Sequence, residues 1–277
     1  MTSSSIWRGA LSISPLPKLI ALDLDGTLLT SDKTLSPRTV QAVERVTRAG
    51  TKVVLCTGRP PRTARPFAER LKLVELAIVY NGGAIYDFAR DTALCRYDFP
   101  VAVAHEAIER LRARYPDVMC GAETAYGWFV DTARYEIVRR GRVPYETEPD
   151  GVGEVERFLR ESVTKLLFWH PTASAETLAA ALDGVSVHCT WSMPGLLEVI
   201  APEVNKQVAL ARVAADLGLQ AREVAAFGDQ NNDKEMLAWA GLGVAMGNGS
   251  ESVRALADLV APSNDEDGVA QVLEAWL

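Results

Sequence analysis

The sequence of 277 residues is poor in the soft metal ligands, with four cysteines and three histidines, and that scarcity narrows the chemistry before any motif is read. Cys56, Cys95, Cys120 and Cys189 stand far apart, with no CxxC and no Cys and His at zinc-finger spacing. A structural zinc site is therefore not expected, and the thiols are expected to be reduced and mostly buried. No run approaches the roughly 18 apolar residues of a spanning helix; the best stretch, Met236 to Ser250, is broken by Gly241, Gly243, Gly247 and Gly249. Basic residues are in the minority, 29 Lys and Arg against 36 Asp and Glu, for a formal charge of −7. That balance argues against nucleic-acid backbones and anionic membranes as partners. The Ser-rich leader, residues 1–17, is interrupted by Ser12, Ser14 and Pro15, so it has no signal-peptide apolar region. It is expected to be a disordered extension of a cytoplasmic protein, which makes the sequon at Asn248 a chance match.

What is present is ordinary globular composition, 48% hydrophobic and 23% charged, in a chain long enough for one large or two moderate domains. Apolar runs at 18–22, 52–56 and 76–80 read as buried parallel strands. Helices separate them: Ser36-Pro37 opens one that Gly50 closes, and Pro60-Pro61 opens the next. From Gly83 the pattern changes to α+β. Helix 102–115 precedes segments at 118–122 and 128–131, strand 165–169 and helix 173–182, and a hairpin pairs 185–191 with 196–200 across Ser192-Met193-Pro194-Gly195. The first pattern returns with helix 206–217, strand 223–227, helix 232–240 and strand 242–245. The expectation is an α/β protein, a Rossmann-like doubly wound parallel core of residues 18–83 and 202–277, interrupted by an α+β insertion at 84–201.

Ligands of open parallel sheets bind beyond the carboxyl ends of the strands. Three apolar strands run into reactive residues there: Asp23-Leu24-Asp25-Gly26-Thr27, Thr57-Gly58-Arg59 and Gly228-Asp229-Gln230-Asn231-Asn232-Asp233. A parallel sheet brings all three to one edge, and Asp23, Asp25, Asp229 and Asp233 cannot all stay ionised there without a cation. Oxygen-only ligands favour Mg²⁺ over Zn²⁺. The Thr57 hydroxyl, amides beside Gly26 and Gly58 and the helix start after Pro60 are donors for a phosphoryl group, and Lys206 adds positive charge. An Asp nucleophile, a neighbouring Asp to pass a proton, a metal and fixed donors make a phosphoryl-transfer site working through an aspartyl-phosphate. Taken singly, an Asp at a strand end is also a cap or turn former; the whole run is far more specific.

These motifs, with Asn205-Lys206, Gly243-Val244-Ala245-Met246-Gly247-Asn248 and the terminal Asn264-Asp265-Glu266-Asp267-Gly268-Val269-Ala270, resemble the haloacid dehalogenase superfamily, specifically its Cof-like phosphatases with a type IIB cap. The resemblance implies that Asp23 attacks phosphorus and ligates Mg²⁺, while Asp25 protonates the leaving oxygen, then activates water, and lends its backbone carbonyl to the metal. It implies Asp229 as a further metal ligand and Asp233 acting mainly through metal-bound water. Thr57 and Asn232 would bind phosphoryl oxygens, with Gly58 and Arg59 beside them, and Lys206 would orient Asp23. Gln207 departs from the glycine often found after that lysine.

The remaining signals are weaker. Gly241, Gly243 and Gly247 precede and end a strand, which rules out a dinucleotide fingerprint. His105, His170 and His188 read as ordinary surface or core residues, and Trp128 and Trp191 as core. Arg134, Arg139, Arg140 and Arg142 read as a solvated face, with one of them a candidate reader of a substrate anion. The expected activity is hydrolysis of small phosphorylated metabolites, sugar phosphates or phosphorylated cofactors, by a monomer or small homo-oligomer. The alternatives are a phosphomutase or phosphotransferase on the same scaffold, and a non-catalytic sensor of a phosphorylated ligand.

Overall fold

The computed structural model describes residues 16–139, 147–192 and 195–277. Most of the expected leader, along with Arg140, Arg142, Met193 and Pro194, lies outside the described residues.

Strand β1 (Leu19–Leu22) is fully buried and sits mid-sheet, paired in parallel with β2 (Lys52–Cys56) on one side and β14 (Val224–Gly228) on the other. Beyond β2 lies β3 (Ala77–Val79); beyond β14 lie β15 (Leu242–Met246) and β16 (Leu259–Ala261), all parallel. Side chains of β1 alternate between two apolar layers, as the period of two requires. Ile20 and Leu22 pack with α1 (Pro37–Arg48), α2 (Pro61–Leu71) and α9 (Gly268–Ala275). Leu19 and Ala21 pack with α6 (Lys206–Asp216), α7 (Lys234–Trp239) and α8 (Glu251–Arg254). The doubly wound parallel core is thus present, with helices on both faces.

The sheet does not stop at residue 83. β4 (Ala84–Asp87) and β5 (Thr92–Arg96) extend it antiparallel to a total of eight strands, so the expected boundary falls inside the sheet. Their turn has no Gly or Pro to announce it; Asp91 supplies the left-handed corner at φ 53°.

After Arg96 the chain builds a second layer. β6 (Phe99–Pro100) pairs with β10 (Ser162–Val163), and a six-stranded sheet runs in the order β12 (His188–Thr190), β13 (Leu196–Ile200), β11 (Lys165–Trp169), β7 (Met119–Thr124), β8 (Gly127–Val130), β9 (Gly151–Val152). Its pairs are antiparallel except β8 with β9. Strand β9 forms where Gly151 lets the chain lie against Phe129 and Phe158, which stack at 4.8 Å. Helices α3 (Val101–Arg114) and α5 (Ala175–Ala180) cover one face, where Ile108, Leu111 and Leu178 share an apolar layer with Phe168 of β11. A shorter helix, α4 (Thr132–Arg139), follows β8. Among the described residues no helix is long and apolar enough to cross a membrane.

Candidate active site

Because β1, β2 and β14 are parallel neighbours, their carboxyl ends place Asp23, Thr57 and Asp229 side by side, all buried. Lys206, the first residue of α6, enters between them with no exposed side-chain surface. Its Nζ lies 2.6 Å from Asp23 Oδ1 and 2.6 Å from Asp233 Oδ1. The other Asp233 oxygen accepts the amides of Asp229 and Gln230 at 2.9 and 3.0 Å. Asp229 in turn accepts from Thr27 Oγ1 at 3.0 Å and Gln230 Nε2 at 3.1 Å. Gly26, at φ +82°, makes room: a Cβ there would fall 2.3 Å from Asp229 Oδ2.

The electrostatics are those of a crowded acidic centre. Burial pushes the Asp23 carboxyl well above its ordinary range, opposed by Lys206 and reinforced by Asp233 and Asp229. Burial, then the charge of Asp233, raises Asp229 to about 7. For Lys206 burial disfavours the charge, but the two carboxylates outweigh it and push its pKa up. Asp23, Asp229 and Asp233 each offer an oxygen within 4.8 Å of the others. Three buried carboxylates facing one ammonium carry excess negative charge, and an all-oxygen donor set fits a hard divalent cation. These three residues could hold one.

The Asp25 carboxylate stands apart from that cluster. Arg59 grips it with two bonds, Nε at 2.6 Å and Nη2 at 2.9 Å, and Lys33 Nζ adds a third at 2.8 Å. Burial would raise its pKa, but these cations prevail and hold it at about 2. The Asp25 loop is itself tied down by the last two motifs: Asn248 Nδ2 donates to Gly26 O at 2.8 Å, Asn264 Nδ2 to Leu29 O at 2.8 Å, and the Ser31 amide to Asp265 Oδ1 at 2.7 Å. Thr57 is buried, its Oγ1 accepting the Arg59 amide at 3.1 Å. Asn232 is buried with Nδ2 donating to Asn81 Oδ1 at 2.9 Å. Gly58 packs on the same Asn81, whose amide oxygen would lie 2.8 Å from a Cβ at that position. Gln207 is half-buried beside Lys206, and nothing in the structure explains its departure from glycine.

Five residues of the neighbourhood carried no signal in the motif reading: Arg62, Asn81, Glu123, Lys165 and Glu198. Arg62 bonds both Glu123 oxygens, at 2.6 and 2.8 Å, and lies over the Trp128 ring at 5.6 Å. Lys165 pairs with Glu198 and also donates to Gly58 O at 3.0 Å. The available clue was a charge inside an apolar strand, in Lys-Leu-Leu-Phe-Trp and Leu-Leu-Glu-Val-Ile. A cavity of about 380 Å³ beside this contact is lined by Arg62, Tyr80, Tyr86, Arg96, Glu123 and Trp128 among others, and by none of the clustered carboxylates.

The histidines stay away from the centre. His170 Nδ1 accepts the Thr172 and Ala173 amides at 3.2 and 2.9 Å, and burial lowers the pKa of His188. Trp191 packs against the apolar layer of the second sheet, and Arg134 lies 5.8 Å from the Trp169 ring. Arg139 closes α4, with its side chain outside the described residues.

Comparison with known proteins identifies the family. A family model described as haloacid dehalogenase-like hydrolase matches residues 20–273. The chain is 31% identical over 269 residues to the 5-amino-6-(5-phospho-D-ribitylamino)uracil phosphatase YitU of Bacillus subtilis, covering 94% of this chain and 97% of that one. It is likewise 31% identical over 269 residues to the pyridoxal phosphate phosphatase YbhA of Escherichia coli, covering 94% and 98%. Among solved structures, a haloacid dehalogenase-like hydrolase from B. subtilis superposes with a TM-score of 0.80 at 26% identity, over 94% of this chain and 100% of that one.

Proposed function

Since the chain belongs to the haloacid dehalogenase-like hydrolases and is a phosphatase of that family, we propose that it is a Mg²⁺-dependent phosphomonoesterase of small phosphorylated metabolites, acting through a phosphorylated Asp23. The names of the two relatives, both phosphatases of small phosphorylated heterocycles, support the substrate class, a phosphorylated cofactor or a sugar phosphate. The observation that carries the reading is Lys206, fully buried and shared at 2.6 Å between Asp23 and Asp233. It occupies Asp23 Oδ1 and leaves Oδ2 as the oxygen free to attack.

The residues then divide the work. Thr57, Gly58, Arg59 and Asn232 bind the phosphoryl oxygens. Asp23 Oδ2 bonds to phosphorus as the ester P–O bond breaks, and the departing oxygen takes a proton from Asp25. Water then gives a proton back to Asp25, its oxygen bonds to phosphorus, and the Asp23 carboxylate leaves, releasing inorganic phosphate. In the arrangement described, Asp25 is held ionised by Arg59 and Lys33, so it enters the reaction by exchanging those partners for the substrate and taking up a proton from solvent, the proton it then gives to the departing oxygen. The arriving phosphoryl dianion is the competitor that draws the two cations away. Asp23, Asp229 and the backbone carbonyl of Asp25 would hold Mg²⁺, with Asp233 acting mainly through water, and the ion would supply the charge neutralisation that lets two anions meet. The layer between Phe99 and Ile200 acts as a cap that excludes water during the first transfer.

The test is phosphate release from a panel of sugar phosphates, nucleotides, flavin and pyridoxal phosphates, with Mg²⁺ and with chelator, for the wild type and Asp23→Asn. Mg²⁺-dependent release that the variant lacks is expected. Undiminished release by Asp23→Asn would refute the covalent step, and silence of the wild type across the panel would refute the hydrolase.

A further inference from the structure

The second sheet turns one apolar face to its own helices and a polar face toward the catalytic edge. Glu123, Lys165 and Glu198 lie on that polar face, each at most 4% exposed. Charges so placed cost several kcal/mol unless every one is matched. Glu198 is matched three ways: Lys165, Asn81 Nδ2 at 2.8 Å, and Ser192 Oγ at 3.3 Å.

The Asn81 contact has a consequence fixed by hydrogen-bond chemistry. An ionised carboxylate only accepts, so Asn81 must present its NH₂ to Glu198. Its carbonyl then faces Asn232, which must present its own NH₂ in return, at 2.9 Å. Asn232 Oδ1 is thereby left buried with no partner among the described residues. The turn that carries Asn81 has no slack to rearrange. Tyr80, Asn81 and Gly82 all take left-handed φ values, 56°, 57° and 99°, and a Cβ on Gly82 would meet Asn205 O at 2.2 Å. For an aromatic residue such as Tyr80 that conformation is strained, and the surrounding contacts must hold it.

Resting on the reading of Thr57, Gly58 and Asn232 as the phosphoryl cradle, we infer that Glu198 is a positioning residue on the cap. Through Asn81, whose carbonyl takes one Asn232 N–H, it holds that amide so that the second N–H of Nδ2 is the donor for the phosphoryl group, and through Lys165 it steadies the Gly58 backbone. The cap thus completes the phosphate site itself, independently of the leaving group. A residue that read the leaving group would make a different signature, changing the ranking of substrates and leaving inorganic phosphate untouched.

Two double variants isolate the acceptor. Lys165→Met with Glu198→Gln removes both charges but keeps an oxygen for Asn81, while Lys165→Met with Glu198→Leu removes the oxygen as well. Both lack the Lys165 contact to Gly58, and both are checked for folding by circular dichroism. Inorganic phosphate, titrated calorimetrically with Mg²⁺ present, is expected to bind the Leu pair about tenfold more weakly than the Gln pair, the scale of losing an outer hydrogen-bonded support. The same factor should appear in kcat/KM for every ester tested. Equal phosphate affinity of the two folded pairs would overturn the relay. A wild type that neither binds phosphate nor hydrolyses any ester would instead overturn the phosphatase reading beneath it.

Discussion

Replacing Lys206 with Met removes the single positive charge from the carboxylate cluster while keeping the bulk of the side chain. Each of its two contacts is 2.6 Å long. At an effective dielectric constant of about 20, one such contact is worth about 6 kcal/mol of Coulomb energy, most of it offset by the cost of burying the ammonium. Removing one partner leaves that burial cost on the carboxylates, and the typical net loss is about 3–5 kcal/mol. For a chain of this size that lowers the melting temperature by roughly 10 °C. The assay is thermal and urea unfolding of wild type and Lys206→Met in chelator at pH 7.5. The deficit should shrink on acidification toward pH 5.5. Asp229 sits at about 7, above its ordinary 3.8, so the folded protein binds protons more tightly than the unfolded chain, and lowering the pH favours folding. Without Lys206 to oppose the shift, the variant gains more from those protons. Stability within 1 kcal/mol of wild type at pH 7.5, or a deficit that widens in acid, would refute this account of the cluster.

Two further outcomes follow from the same geometry. Gly26→Ala must displace Asp229, since its Cβ would lie 2.3 Å from Oδ2 at a backbone φ of +82°; divalent-cation affinity measured by calorimetry should fall about tenfold or more, and unchanged affinity would contradict the packing. Cys56 and Cys120 are fully buried, and burial pushes the thiols of both up, as it does Cys189, to about 11. A disulfide reagent at pH 8 should therefore titrate Cys95 readily in the native protein and all four only after unfolding; four rapid equivalents from folded protein would count against the described core.

The catalytic edge was legible because it depends on local facts: an apolar strand, a carboxylate at its end, and the rule that parallel strands deliver their ends to one side. Asp23, Thr57 and Asp229 are placed by that logic alone, whereas Lys206 heads a helix and owes its place to the re-entry of the chain into the core. The hairpin β4–β5 was not legible, since Phe88 to Asp91 contains no Gly or Pro and a lone Asp91 is a weak turn signal, and Thr92–Arg96 is an exposed edge whose Leu94 is 53% solvent-accessible. Glu123, Lys165 and Glu198 were missed for a different reason. Their meaning comes from Arg62, Gly58 and Asn81, which meet them only when two separately patterned parts of the chain are stacked. Asn81 lies just past β3, and its side-chain duty lies outside anything a turn signal conveys.

The central strand β1 sits between neighbours made at very different times. Thr27, just beyond it, bonds Asp229 across 202 residues of chain. At bacterial or eukaryotic elongation rates the ribosome needs ~10–40 s to cover that distance. Throughout that interval the β14-facing side of β1 is an unpaired edge of a hydrophobic sheet, the kind of surface that recruits foreign strands. The inserted layer can fold meanwhile on its own apolar centre. Expression temperature, translation speed and chaperone supply should therefore govern the yield of this protein far more than the stability of the finished molecule does, because the hazard ends only once β14, near the end of the chain, has emerged.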